Sequence, residues 1–151
     1  MGRRTKAREC AFQMLYQHEL TRDPMPEVVA AFWRIRRTTD PARHLAEALA
    51  LGAQARLEEL DARIASHAAH WRLERIAVVE RTVLRLAAYE LLHTQTPPAV
   101  VIDEAVELAK RFGEADSPGF VNGILDAVMR STGRLPKDED GARAGEGSKG
   151  D

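Results

Sequence analysis

Apolar residues recur every three or four positions along most of the first 130 residues, which is the spacing of one face of an α-helix. The first such stripe starts at Ala7 and runs to about Thr21, where Asp23-Pro24 interrupts it. A second, shorter stripe covers residues 28–35. No segment shows the alternation of a β-strand. The pattern predicts an all-α protein, a single-domain bundle of six or seven helices.

Prolines and glycines mark the later helix boundaries. Asp40-Pro41 predicts the start of a third helix, whose stripe continues to Ile64 with a bend at Gly52. Pro97-Pro98 separates a broadly apolar helix over residues 73–92 from the helix that follows. Ser117-Pro118 predicts the last helix, with the serine as N-cap and the proline at the first position. The helical domain is therefore expected over residues 1–134.

The composition changes after this domain. The segment KDEDGARAGEGSKGD is rich in glycine and charge and has no apolar period, so residues 135–151 are predicted to be a disordered tail. The chain has 151 residues, 44% of them apolar, which suits one domain with a real core. It shows neither a membrane-length apolar stretch nor the apolar region of a signal peptide. We therefore expect a soluble cytoplasmic protein without a membrane partner.

The motifs of common catalytic sites are missing from the sequence. It has no glycine-rich phosphate loop, no G-x-S-x-G and no Cys/His array. His67 and His70 come closest to a metal site, but they lack a third ligand. The acids Asp103, Glu104 and Glu107 suit a helix start and pairing along a helix better than catalysis. We expect no enzyme, no cofactor and no metal.

A cluster of cations precedes the first apolar stripe: Arg3, Arg4, Lys6 and Arg8. A helix N-terminus is itself positive, so each cation there should cost about 0.3–1 kcal/mol. The net charge of the chain is only −1, so any attraction to nucleic acid must come from such local clusters. Two interpretations stay open: a short basic arm that orders on a phosphate backbone, or a solvated terminus that aids solubility.

Stacking of RNA bases requires aromatic side chains, which make up only 5% of this chain. Phe120 falls in the first turn after Ser117-Pro118 and close to Asp116, where a helix N-terminus offers free N–H groups. It is therefore a candidate stacking residue. The alternative is that Phe120 is buried against Phe112.

Four segments together resemble the NusB family of bacterial transcription antitermination factors: ARECAFQMLY, ERTVLRLAAYELL, PPAVVIDEAVELAKRFG and SPGFVNGILD. The resemblance covers residues 3–130 in order. It implies an all-helical RNA-binding adaptor, whose partner is NusE, a small-subunit ribosomal protein. It also implies a ligand, boxA-containing single-stranded RNA in ribosomal RNA leader transcripts. In the antitermination complex, these contacts help RNA polymerase to read through terminators.

The resemblance also assigns roles to residues. The arginine-rich N-terminal segment of the family contacts RNA, and the matching residues here are Arg3, Arg4, Lys6 and Arg8. Residues before and within the F-V-N-G block match Asp116 and Phe120, which are thereby implied in RNA binding. The acidic residues that face NusE match Glu74 and Glu80. On this interpretation, the RNA backbone is the counter-charge of the N-terminal cations.

Other functions remain open at this point. A NusB-like RNA-binding domain related to ribosomal RNA methyltransferases is expected to precede a long catalytic domain, whereas this sequence has a charged tail. A helical protein-interaction adaptor would not bind RNA at all, and a metal-dependent enzyme would need stoichiometric zinc at His67 and His70. The sequence also fits either a monomer or a homodimer.

Overall fold

The computed structural model describes residues 2–68 and 72–133, and these ranges contain helices but no strands. The helices are α1 (Arg3–Thr21), α2 (Met25–Ile35), α3 (Asp40–Ala55), α4 (Leu57–His67), α5 (Val78–His93), α6 (Pro98–Phe112) and α7 (Ser117–Ser131). A short 3-10 helix, Leu73–Arg75, precedes α5. The prediction of an all-α bundle of six or seven helices is confirmed. His70 and the predicted tail, residues 135–151, lie outside the described residues.

Helix α1 begins before its apolar stripe does. It starts at Arg3, and the backbone N–H of Lys6 donates to the carbonyl of Gly2 at 3.0 Å. Buried Ala7 and Cys10 pack the first turns against the bundle, and tertiary packing of this kind stabilises a helix whose first turn contains no acid. Arg3, Arg4 and Lys6 are therefore helical, and their contact with RNA stays a prediction. The cations are part of the helix.

The third predicted helix is two helices. The break falls at Arg56, between α3 and α4, and not at Gly52, where the sequence suggested a bend. Gly52 is helical and lies against Tyr89 of α5, so that a Cβ at this position would collide with the Tyr89 hydroxyl group. The glycine therefore permits a close approach of α3 to α5. It does not end a helix.

Helix α5 lies at the centre of the bundle and contacts α1, α3, α4, α6 and α7. The largest fully buried side chains come from five helices and include Phe12, Met14, Leu60, Ile64, Leu84, Leu86, Leu91, Val101, Leu125 and Met129. This apolar core supplies the main driving force for folding. No helix in the described part of the chain is long and apolar enough to cross a membrane.

Ion pairs hold α1 antiparallel to α5. Arg8 pairs with Glu90 near one end, and Glu19 pairs with Arg81 and Arg85 near the other. Burial raises the pKa of Glu19, but the charges and hydrogen bonds of the arginines outweigh burial and hold this pKa below its usual value of 4.5. Glu19 is therefore ionised at neutral pH, and the two helices are fixed in register.

Candidate nucleic-acid interface

The N-terminal cations do not share one surface. Arg3 and Arg4 are exposed and, with Arg8, line a cavity of about 470 Å³ between α1, α3 and the α5–α6 connection. Lys6 is half-buried and lies on the side of α1 that also carries Glu9 and Gln13, because these positions are spaced by three and four residues. The structure therefore divides the predicted RNA-binding residues of α1 between two faces.

Arg8 is buried, and its guanidinium group pairs with the carboxylate of Glu90 on α5. Arg8 Nε lies 2.7 Å from Glu90 Oε1 and Arg8 Nη2 lies 2.9 Å from Glu90 Oε2, a bidentate pair. The Thr96 hydroxyl donates to Glu90 Oε2 at 3.3 Å. Burial lowers the pKa of Arg8, but the hydrogen bond and charge of Glu90 outweigh burial and raise the pKa above its usual value. Arg8 is a charged residue that joins two helices.

A buried carboxylate organises the other face of α1. Glu9 Oε1 lies 2.9 Å from Arg111 Nη1 of α6, and Glu9 Oε2 lies 3.5 Å from Arg36 Nη2 at the end of α2. Arg36 Nη1 also donates to Gln13 Oε1 at 2.6 Å. The Glu9 side chain is only 8% exposed, whereas that of Arg111 is 49% exposed. Glu9 and Gln13 thus hold cations from the end of α2 and from α6 against the side of α1 that carries Lys6.

An aromatic cavity adjoins these cations. Phe12, Gln13, Tyr16, Val79 and Phe112 line about 200 Å³ of open space. The ring centroids of Phe12 and Phe112 are 4.9 Å apart, and those of Phe12 and Tyr16 are 5.8 Å apart. Tyr16 and Phe112 are both partly exposed. An aromatic surface beside cations is the combination that binds unpaired bases and their phosphates.

One cation is stacked directly on this aromatic cluster. The Arg111 guanidinium carbon lies 5.4 Å from the centroid of the Phe112 ring. Sequence reasoning did not select Arg36, Arg111, Tyr16 or Phe112 as binding residues. The KRF segment at the end of α6 was the available signal, since a cation and an aromatic there follow the last apolar positions.

Asp116 and Phe120 lie at the start of α7. Asp116, not Ser117, is the N-cap of α7, so the predicted cap is wrong; Asp116 is exposed and makes no side-chain cap hydrogen bond. Ser117 is buried, and its Oγ accepts from the backbone N–H of Glu114 at 2.9 Å. Phe120 is partly buried and packs against the core. Asp116 is the more accessible of the two predicted RNA-binding residues.

The two residues predicted to face NusE lie in and next to the first turn of α5. Glu80 accepts a hydrogen bond from Ser117 Oγ at 2.6 Å, which ties the start of α5 to the start of α7. Glu74 is exposed on the short 3-10 helix. Arg81 fixes this segment, since its Nη1 donates to the Ile76 carbonyl at 2.9 Å. Through the Ser117 contact, Glu80 thus lies next to the start of α7, where Asp116 is the N-cap.

The structure provides little for metal chemistry. Across residues 2–68 and 72–133, no three His, Cys, Asp or Glu side chains are grouped so that they could hold a metal ion. Cys10 is buried, and burial raises the pKa of its thiol, which disfavours the reactive thiolate.

Comparisons with known proteins agree on one family. The NusB family profile matches residues 5–130. The "Transcription antitermination protein NusB" of Sorangium cellulosum is 44% identical over 139 residues, which cover 91% of this chain and 99% of that protein. NusB of T. maritima, a solved structure, superimposes with a TM-score of 0.78 at 37% identity, covering 86% of this chain and 92% of that one.

A further solved structure contains binding partners. It is described as antitermination factors NusB and NusE in complex with dsRNA, and its matching chain has a TM-score of 0.80 at 29% identity. The match covers 87% of this chain and 98% of that chain. The profile match and the curated relatives, with coverage close to the full chain, establish the assignment: the chain belongs to the NusB family of transcription antitermination proteins.

Proposed function

We propose that this chain, together with NusE, binds boxA-containing single-stranded RNA in ribosomal RNA leader transcripts and promotes read-through by RNA polymerase in an antitermination complex. Family membership supports the antitermination role, and the related structure with NusE and RNA supports both classes of partner. A protein with this role works in the cytoplasm. No cofactor is required, because the role is recognition and not a chemical reaction.

The cationic and aromatic surface around Glu9 is the observation that carries the proposal. Its cations are Lys6, Arg36 and Arg111, and its partly exposed aromatic side chains are Tyr16 and Phe112, both of which pack against buried Phe12. Unpaired bases can stack on the aromatic side chains while phosphates pair with the cations. The cations come from α1, α2 and α6, so the surface exists only in the folded bundle.

The predicted residues take different roles in this proposal. Arg3, Arg4 and Lys6 reach solvent and contact phosphates, whereas Arg8 holds α1 on α5 through Glu90 and acts indirectly. Asp116 and Phe120 extend the RNA surface to the start of α7. Glu74 and Glu80 remain the predicted contacts to NusE. A homodimer of the free protein also stays a prediction.

Fluorescence anisotropy of a labelled boxA RNA with this protein, alone and with NusE, tests the proposal. Binding should be weak alone, tighter with NusE, and stronger for boxA than for a scrambled RNA. The variant Arg3→Gln/Arg4→Gln/Lys6→Gln should make the dependence of log K on log salt shallower by about 2, since each phosphate contact on a single strand contributes about −0.7.

Equal and weak binding of boxA and scrambled RNA, with NusE present, would contradict the proposal. The protein-interaction adaptor without RNA binding would then be the better account. A variant that loses NusE binding but still selects boxA alone would instead show that the two partners act at separable surfaces.

A further inference from the structure

A second group of cations lies at the end of α2 and just beyond it. The segment RIRR, residues 34–37, contains arginines at positions 34, 36 and 37 and no acid. Arg34 and Arg37 are both exposed, and neither forms an ion pair or side-chain hydrogen bond with any residue in the ranges 2–68 and 72–133. The segment therefore presents positive charge that the described part of the protein does not neutralise.

The helix dipole explains only part of this charge. Arg34 lies in the last turn of α2, where a cation is favourable. Arg37 lies beyond the C-cap residue Arg36, outside the helix, so the dipole gives no reason for its charge. By contrast, Arg43 at the start of α3 pairs with Glu47 and stacks over Trp33 at 5.3 Å. Arg43 thus has partners within the protein, whereas Arg34 and Arg37 have none among the described residues.

Arg36 fixes the position of this segment. Its guanidinium bonds Gln13 of α1, lies 3.5 Å from Glu9, and is 5.8 Å from the centroid of the Phe32 ring. Glu9 also binds Arg111, so the carboxylate joins the end of α2 to the cationic surface of α1 and α6. Arg34 and Arg37 flank Arg36 in the chain and are therefore held close to that surface, at the end of α2.

We propose that residues 34–37 form a second phosphate-binding segment, which extends the RNA path from α1 over the end of α2. This inference rests on the proposed function and deepens it. Arg34 and Arg37 pair with backbone phosphates of the same RNA strand, and Arg36 positions them through Gln13 and Glu9. Contacts of this kind strengthen binding without selecting sequence.

The test is the salt dependence of boxA binding in the presence of NusE for the variant Arg34→Gln/Arg37→Gln. Loss of two phosphate contacts should make the slope of log K against log salt shallower by about 1.4. Over the tenfold range from about 1 M to about 0.1 M salt, this change of slope corresponds to a loss of affinity of roughly 25-fold. Because both side chains are exposed, the urea unfolding midpoint should shift only slightly, by the loss of the interaction of Arg34 with the helix dipole.

Arg56→Gln/Arg130→Gln is the charge control, at two arginines that pair with the acids Glu59 and Asp126 one turn away. It removes the same charge from exposed positions at the α3–α4 junction and on α7, outside α1, α2 and α6. This control should keep the wild-type slope. If both double variants alter the slope equally, or neither does while the wild type still selects boxA, the second segment is refuted and the proposed function stands. If the wild type does not select boxA, both fail.

Discussion

At the residue scale, neighbouring cations in one short segment have different environments. Arg4 is exposed, whereas Arg8, one turn further, is buried and forms two hydrogen bonds with Glu90. The sequence shows four similar cations at the start of the chain. Which of them is buried depends on where α5 packs against α1. A glutamate within the apolar pattern of α5 was the one local signal that a buried cation would be needed.

The Arg8–Glu90 pair yields a prediction for stability. Arg8→Met should lower the free energy of unfolding by about 3–5 kcal/mol, because it leaves the Glu90 carboxylate buried without its counter-charge. The double variant Arg8→Met/Glu90→Leu should recover most of this loss, since two apolar side chains can replace a buried pair. Urea unfolding of the wild type, Arg8→Met, Glu90→Leu and the double variant measures both effects.

The additivity of these changes is informative. If the double variant is as unstable as the sum of the two single variants, the two side chains are not energetically coupled and the pair does not hold α1 on α5. An unfolding energy of Arg8→Met within about 0.5 kcal/mol of the wild type would likewise contradict a buried pair.

At the scale of elements, the apolar pattern predicted the number and class of the helices, and packing decided where they begin and break. The stripe from Ala7 indicated α1, but buried contacts extend the helix back to Arg3. The sequence suggested a bend at Gly52, yet this glycine is a contact point for Tyr89. Helix α3 ends only at Ala55, before Arg56. Local signals cannot distinguish a glycine that ends a helix from one that admits a neighbour.

Gly52 gives the clearest test at this scale. Gly52→Ala should destabilise the protein by about 1–3 kcal/mol, because the new Cβ would collide with the Tyr89 side chain at the end of its ring. Helix propensity alone predicts the opposite, a gain of roughly 1 kcal/mol. Thermal or urea unfolding distinguishes the two signs.

Gly123→Ala serves as the control for this prediction. Gly123 lies within α7 and is exposed, and a Cβ added there would have nothing within 4 Å, so alanine should stabilise the protein by about 0.5–1 kcal/mol. Stabilisation by both substitutions would show that α3 and α5 do not approach closely at Tyr89.

At the scale of the whole molecule, the candidate RNA surface is assembled from distant parts of the chain. Glu9 and Arg111 are 102 positions apart in sequence, and Gln13 and Arg36 are 23 apart. The family resemblance indicated the N-terminal cations and the start of α7. It did not indicate the α2 and α6 arginines, because their meeting at Glu9 depends on how three helices pack.

The charged residues of α1 and its neighbours have two separate roles. Helix α1 carries cations toward the proposed RNA, while Glu9, Glu19 and Glu90 join this helix to its neighbours through arginines. The net charge of −1 conceals this arrangement, because the exposed cations of residues 3–8 and 34–37 are balanced in the total by acids elsewhere in the chain. Local charge, and not the total, is therefore the relevant quantity for RNA binding.

The central claim is that RNA lies on the surface formed by α1, α2 and α6. The most direct test is photo-crosslinking of 5-iodouracil-substituted boxA RNA to the complex of this protein with NusE, followed by mass spectrometry. The account predicts cross-links at Tyr16 and Phe112, lost when a scrambled RNA is used. Cross-links confined to α4, with Tyr16 and Phe112 unmodified, would contradict it.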